Sequence, residues 1–519
     1  MNQHKLVPLI DLLLTKAQQL KLINPRDLIY LRNHYAILLN LKSLEHGSDS
    51  EFSANLDQQQ HSIADVLNLI YQTLDKAQQA ALGNSQEQIE TRLIAALLPL
   101  PSQIEAKFQE IHTQNGIKAA LDWYYQFSQD TDYIKTAAIA KNKSWTGATS
   151  YGDLEITINL SKPEKDPAEI AKAKHAPASS YPKCLLCIEN EGYSGNSLTQ
   201  PARHNHRMLR LKLSQEQEYY FQYSPYLYYN EHSIIINPQH CDMVINQQSF
   251  ANFFAFVNQV PDYLIGSNSD IPIVGGSILT HDHYQAGNHV FPIENAQIKA
   301  RYTLTNYPQV QINYLHWPVS TLQLIGNQAD LTALAALVLK KWYAYNNPEL
   351  DILASSELAV RHNAVTPILR KLAPDKYALY LLLRNNRCNA EYPDGIFHPH
   401  RELHHIKKEN IGLIEAMGLA ILPGRLDYEL AEIEKLLLLN DLNLALSELL
   451  FDEKLLKHEA WFIELYEKHA KFSKNTIRQM LQTEVALKFC QVLENSGVFK
   501  ANSDGDAGLH DFIQQLEHE

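Results

Sequence analysis

The densest chemistry in this sequence lies in PIVGGSILTHDHYQAGNHVFPIE, residues 272–294, where His281, His283 and Gln285 fall at alternate positions. Successive side chains of a strand point to opposite faces, so an extended segment over 278–285 puts these three on one face and Asp282 and Tyr284 on the other. A helix would set the two histidines on opposite sides, and only the strand lets them act together. A neutral imidazole is both a nucleophile and a metal ligand near pH 7, and a neutral amide can donate to oxygens whose charge shifts during attack. Just upstream, Gly275 and Gly276 carry no side chain to keep the backbone from a phosphate or another strand, and Ser277 adds a hydroxyl. A His-x-His pair by itself is more often two hydrogen-bonded histidines than a site, so it needs partners.

Partners stand upstream. Cys184 and Cys187, in YPKCLLC, have the spacing of one half of a zinc site. A redox pair or a packed turn has the same spacing, although no βαβ pattern surrounds it as in thioredoxin-like chains. A tetrahedral site needs two more ligands. His240, after the apolar run Ile234–Ile236, and His281 are the candidates. Together the four would close a Cys2His2 site with no open coordination position, so the metal would anchor the segment carrying His283 and leave the chemistry to the imidazole.

The whole chain bounds the substrate. A net charge of −13 over 519 residues argues against a general nucleic-acid or anionic-membrane binder, so any positive charge for a phosphate must be local. Arg384, Asn385, Asn386 and Arg387, with Lys407 and Lys408, supply it, and guanidinium and ammonium groups both suit sugar phosphates. Five cysteines, odd in number and mostly scattered, fit a reducing compartment. The N-terminal apolar run lacks a cleavage-like site, and no stretch reaches the roughly 20 apolar residues of a membrane span. The expectation is a cytoplasmic protein with no membrane and no nucleic-acid partner.

The elements that must position these residues are legible in the periodicity. Up to about residue 136, apolar residues recur at helical spacing, as in Ile63-Val66-Leu67-Ile70-Leu74. Leu154, Ile156, Ile158 and Leu160 then alternate with polar residues as in a half-buried strand. Residues 161–183, rich in Pro, Lys and Ala, read as an exposed connection with one short helix. Strands follow at 208–213, 219–229 and 233–237, a helix at 250–264 and a strand at 271–285. A second pass places strands between 300 and 324, a helix at 331–345, and strands around 368 and over 377–384. Each pass ends near a His-x-His, the second being His398-Pro399-His400, which suggests a weak internal duplication. Helical period returns from Arg425, and the last residues look frayed. The expected division is 1–149 helical, 150–299 and 300–424 as two related halves, and 425–519 helical.

The runs YPKCLLCIENEGYSG, YYNEHSIIINPQH, PIVGGSILTHDHYQAGNHVFP and GIFHPHRELHHIKKENIGLIEAMGLAILPGRL resemble the galactose-1-phosphate uridylyltransferases, in particular their divergent second class. The resemblance covers most of the chain through about Gly424. It implies an α+β fold with a histidine-triad-like, duplicated antiparallel-sheet core, and helical N- and C-terminal regions. The reaction implied is UDP-glucose plus galactose 1-phosphate giving UDP-galactose plus glucose 1-phosphate, with specificity for uridine nucleotides. The family's His-Pro-His-x-Gln motif corresponds to 281–285, which places the nucleophile on His283, a zinc ligand on His281 and a phosphate-holding amide on Gln285. Asp282 stands where the family has proline, on the opposite face. The resemblance further implies a second metal site at Glu294, His362, His398 and His400, a hexose-phosphate contact at Lys408 and a sugar contact at Glu415, beside the substrate contacts that residue types alone suggest at Gly276, Ser277 and Arg384. A homodimer is an open expectation. Two other readings stand beside this one: a histidine-triad hydrolase or phosphorylase on nucleotides, and a zinc-stabilised interaction protein whose histidines are structural.

Overall fold

Apolar side chains at three- and four-residue spacing wind the N-terminal region into helices. In the computed structural model, which describes residues 3–42, 44, 61–161, 180–196, 200–356, 360–469 and 471–517, these run from Gln3–Gln19 to Thr136–Ile139. Leu6, Leu9, Ile10 and Leu13 of the first helix share a core with Val66, Leu67 and Ile70 of Ile63–Thr73. Ser62 starts that second helix with a reciprocal cap to Asp65.

The alternating segment builds strand β2 (Gly152–Ile158), which buries Leu154, Ile156 and Ile158. It pairs antiparallel with β1 (Lys143–Thr149) and parallel with β13 (Leu419–Leu422), tying the start of the strand region to residues far along the chain.

The main sheet has ten strands, every neighbouring pair antiparallel. From one edge run β3 (Leu209–Lys212), β4 (Glu218–Tyr223), β5 (Ser233–Ile236), β7 (His283–Gly287) and β6 (Leu264–Gly266). From the other run β8 (Ile298–Tyr302), β9 (Gln311–Leu315), β10 (Thr321–Gly326), β12 (Lys376–Asn385) and β11 (Asn363–Ala373). In each half the fifth strand in sequence lies between the third and the fourth, and one helix, Gln247–Gln259 or Gln328–Ala344, links the third to the fourth. The halves meet where β6 pairs with β11. The weak internal repeat is therefore a duplicated topology. Its markers differ from those expected: β7 carries His283, whereas its counterpart β12 carries the apolar run YALYLLL, and His398 and His400 lie downstream of that strand.

Burial on both faces explains that unbroken run. Leu379, Leu381 and Leu383 join the core under the two linking helices, with Phe250, Phe254 and Leu334. Ala378, Tyr380 and Leu382 face a second core completed by C-terminal residues such as Trp461 and Phe489.

Three local expectations change. The strand expected over 271–285 begins only at His283; before it the chain loops, with left-handed φ of 73° at Ile273. The loop folds back so closely that a Cβ on Gly275 would stand 2.3 Å from the Ser269 carbonyl oxygen. The strand expected over 219–229 ends at Tyr223, before Pro225, which has no N–H for a ladder. The C-terminus is not frayed over 503–514: Asn502 caps the helix Ser503–Gln514, and Leu509, Phe512 and Ile513 are buried. The connection expected over 161–183 falls largely on 162–179, outside the described residues.

Phe512 is fully buried with its ring centroid 5.3 Å from Trp342 and 5.2 Å from Tyr345. Phe512→Ala should cost about 3–5 kcal/mol and lower the midpoint of urea unfolding. An unchanged midpoint would mean that the last helix does not dock.

Candidate active site and metal centre

Cys184 and Cys187 sit in a tight turn in which the Leu186 N–H donates to Cys184 Sγ, and Asn190 donates from Nδ2 to both cysteine carbonyls at 2.8 Å. His240 follows β5 and His281 precedes β7, and β5 and β7 are paired neighbours, so the ladder brings the histidines together. The ligand atoms lie within 4.8 Å of one another. The sulfurs are 3.6 Å apart, Cys184 Sγ is 3.2 Å from His281 Nδ1, and Cys187 Sγ is 3.3 Å from His240 Nδ1 and 3.7 Å from His281 Nδ1. A tetrahedron with metal–sulfur bonds of about 2.3 Å and metal–nitrogen bonds of about 2.0–2.1 Å has edges of roughly 3.3–3.8 Å, so the donor set fits one small cation. His281 Nε2 donates to the Asn237 carbonyl at 2.8 Å, which leaves Nδ1 bare for a metal. Burial pushes the Cys184 thiol up to about 11, opposite to the shift of a redox-active cysteine.

Asp282, in the position of the family's proline, holds this loop to the strand. Its N–H, which proline lacks, donates to the Cys241 carbonyl at 2.7 Å, and its carboxylate accepts from Asn237 Nδ2 at 3.2 Å. The departure thus adds a tether next to His240.

One residue further, His283 is buried and its Nδ1 donates to the His281 carbonyl at 2.8 Å. Burial pushes its imidazolium down to about 4, so the ring is neutral at pH 7, with the proton on Nδ1 and a lone pair on Nε2. Gln285 shares its face of β7 and lines a cleft of about 530 Å³. The first half contributes Gly275, Gly276 and Ser277 to the cleft as well, and the second half contributes Lys407, Gly412 and Glu415. A Cβ on Gly276 would stand 2.6 Å from Asn268 Nδ2, so the glycine is what lets the loop reach that side chain.

The sequence reading missed Asn268, an isolated polar residue without a spacing signal. It lines the cleft, and its Oδ1 accepts from the Leu413 N–H at 2.8 Å, which pins the second-half segment to the glycine loop. The two lysines of this segment are placed differently. Lys408 is exposed and does not line the cleft, whereas Lys407 is buried there, 2.5 Å from Glu415 Oε1 and 3.1 Å from the Ile421 carbonyl. Burial alone would lower Lys407, but the Glu415 and Glu409 carboxylates outweigh it and raise it, so the ammonium stays charged. Glu415 also accepts the Gly412 N–H.

Arg384 is not at the cleft either. It is buried on the central strand β12, where Nη2 donates to the Ile411 carbonyl at 2.9 Å and so supports the segment carrying Lys407 from beneath. Asn386 donates to the Pro272 carbonyl at the start of the glycine loop, and Arg387 pairs with Asp351. The second metal set is not assembled. Glu294 pairs with Arg370, His362 with Asn386, His398 with Asn410, and His400 with Asn495 and the Ile396 carbonyl. Each candidate ligand is engaged by a different neighbour, and among the described residues only the Cys184, Cys187, His240 and His281 group could hold an ion.

Residues 21–242 match the family model described as galactose-1-phosphate uridyl transferase, N-terminal domain, and residues 256–455 match that of its C-terminal domain. The chain is similar to the galactose-1-phosphate uridylyltransferase of Halalkalibacterium halodurans, at 42% identity over 517 residues, covering 99% of this chain and 100% of that one. That of Fusobacterium nucleatum is 42% identical over 513 residues, covering 98% of each chain. That of Caldanaerobacter subterraneus is 46% identical over 433 residues, covering 82% of each.

A cation held by four residues from three separate segments couples to folding, with apparent binding free energies of roughly 10–16 kcal/mol for structural zinc. Cys184→Ser should lose most of one equivalent of metal by elemental analysis and melt at lower temperature. A full equivalent with the parent's melting curve would remove Cys184 from the site.

Proposed function

Since this chain belongs to the galactose-1-phosphate uridylyltransferase family of nucleotidyltransferases, we propose that it exchanges UMP between UDP-glucose and galactose 1-phosphate through a uridylyl group carried on His283. The observation that carries this reading is the hydrogen bond from His283 Nδ1 to the His281 carbonyl, with Gln285 beside it at the cleft. That bond leaves Nε2 as the only ring atom with a free lone pair. Nε2 attacks the α-phosphorus of UDP-glucose, an N–P bond forms, the bond to the bridging oxygen breaks, and glucose 1-phosphate leaves with that oxygen. A phosphate oxygen of galactose 1-phosphate then attacks the same phosphorus, the N–P bond breaks, and UDP-galactose departs. As the ring gains positive charge, the Nδ1–H bond to the carbonyl strengthens and stabilises it.

Gln285 offers an amide N–H to the phosphoryl oxygens, and Lys407 offers a point charge to the hexose phosphate. Ser277 and the Gly276 backbone line the same cleft. Zinc is the metal that suits two thiolates and two imidazoles in a closed tetrahedron. It would be held by Cys184, Cys187, His240 and His281, where it fixes the turn before β7 and leaves no coordination position for substrate. Among the described residues no helix is long and apolar enough to cross a membrane. Five free cysteines suit a reducing compartment, which supports a cytoplasmic enzyme acting on galactose-derived sugar phosphates.

A covalent intermediate separates the two acceptors in time, so labelled glucose 1-phosphate should exchange into UDP-glucose with no galactose 1-phosphate present. His283→Asn should abolish exchange and net turnover with the metal retained. Gln285→Ala should slow both by about 10²- to 10³-fold, the loss seen when one transition-state donor is removed. Exchange by His283→Asn near the parent's rate would place the nucleophile elsewhere.

A further inference from the structure

His232, on the strand edge before β5, is buried, and its Nε2 lies 3.2 Å from Gln285 Oε1. No motif singles it out, and the mechanism above does not use it. The ring is firmly held. It packs 4.5 Å from the Tyr229 ring and 5.4 Å from that of Tyr228, while the His232 backbone N–H donates to the Tyr229 carbonyl and the His232 backbone carbonyl accepts the Ser224 N–H. Tyr229 in turn donates from its hydroxyl to the Ala286 carbonyl at 3.0 Å. Two neighbouring residues thus grip β7, one by its backbone and one by the Gln285 side chain.

Burial pushes the His232 imidazolium down to about 3, so the ring carries one proton. His232 Nδ1 is buried without a hydrogen-bond partner. A proton there would be an unpaired buried N–H, the rarer and costlier kind of orphan, whereas a proton on Nε2 leaves only a bare acceptor at Nδ1. The Nε2–H therefore donates to Gln285 Oε1. A glutamine amide has ends of nearly equal size and opposite polarity, and once its carbonyl is engaged by His232 its N–H groups are the ends left for the cleft.

We propose that His232 is a positioning residue that locks the Gln285 amide with its donors toward the phosphate site. This rests on the reading of Gln285 as a phosphate contact. Without the lock the amide can turn over and present its carbonyl, an acceptor, to a phosphate oxygen.

The test is a double-mutant cycle with a rescue. His232→Phe keeps the ring and removes the donor; His232→Gln puts an amide N–H close to where Nε2–H stood. His232→Phe should reduce turnover roughly tenfold, less than Gln285→Ala, with melting temperature and the KM for galactose 1-phosphate unchanged. His232→Gln should recover most of the rate, and His232→Phe should have no further effect in the Gln285→Ala background. Equal rates for His232→Phe and His232→Gln, or the same loss with and without Gln285, would overturn the proposal. Should His232→Phe not fold, His232→Asn, whose N–H sits nearer the Nδ1 position, takes its place with the same expectations. If the parent itself does not turn over UDP-glucose and galactose 1-phosphate, the proposed function fails. The same cycle read as UMP affinity by calorimetry then decides the lock, non-additive losses upholding it and additive ones overturning it.

Discussion

The hydrogen bond between His283 Nδ1 and the His281 carbonyl ties the cysteine–histidine group that could hold a cation to the buried ring of His283. His281 is held at three points: its Nδ1 faces the cysteine sulfurs, its Nε2 donates to Asn237, and its carbonyl accepts from His283. A residue held in this way cannot turn, so its carbonyl is a fixed acceptor and the tautomer of His283 is fixed with it. Burial then keeps that imidazole neutral, and the two-residue period of β7 places Gln285 beside it. The cysteine–histidine group that could hold a cation and the lone pair at Nε2 are thereby parts of one arrangement, although the two face different surroundings.

The duplicated sheet explains where the cleft opens. The two fifth strands, β7 and β12, flank the central pair β6 and β11, and the segments leaving this centre meet over it. From the first half comes the glycine loop, folded back on Ser269 and touching Asn268; from the second comes the irregular stretch bearing Lys407 and Glu415. The fifth strands of the halves differ: β7 begins with His283 and carries Gln285, while β12 is apolar on both faces over 377–383 and its buried Arg384 supports the opposite wall of the cleft through Ile411. Lys407 is a buried cation lining the cleft, where it pairs with Glu415 and Glu409.

Much of the positioning was legible in the sequence because it follows short-range rules. Alternation located β2, unbroken apolar runs marked β5 and β12, and helical spacing located the N-terminal helices. The Cys-x-x-Cys and His-x-His spacings marked residues that the β5–β7 pairing brings together. What failed depended on contacts between distant segments. That Lys407 lines the cleft and Lys408 does not was not legible, because 401–412 has no period and its side chains are aimed by tertiary contacts such as Lys407 with Ile421. Arg384 and its neighbours read as local positive charge for a phosphate, although β12 is central and Arg384 is buried away from the cleft. The second metal set failed because each candidate found a nearer partner, as Glu294 did in Arg370. Asn190, Asn268 and His232 act singly, and single polar residues leave no pattern to read.

The central claim is that His283 carries the transferred group. Incubating the full-length protein with UDP-glucose alone, weighing it intact and then mapping the modified peptide tests this most directly. The account predicts a gain of one uridylyl group per chain, located on His283 and discharged on adding galactose 1-phosphate. An unmodified chain that nonetheless turns over both substrates, or an adduct on any other residue, would contradict it.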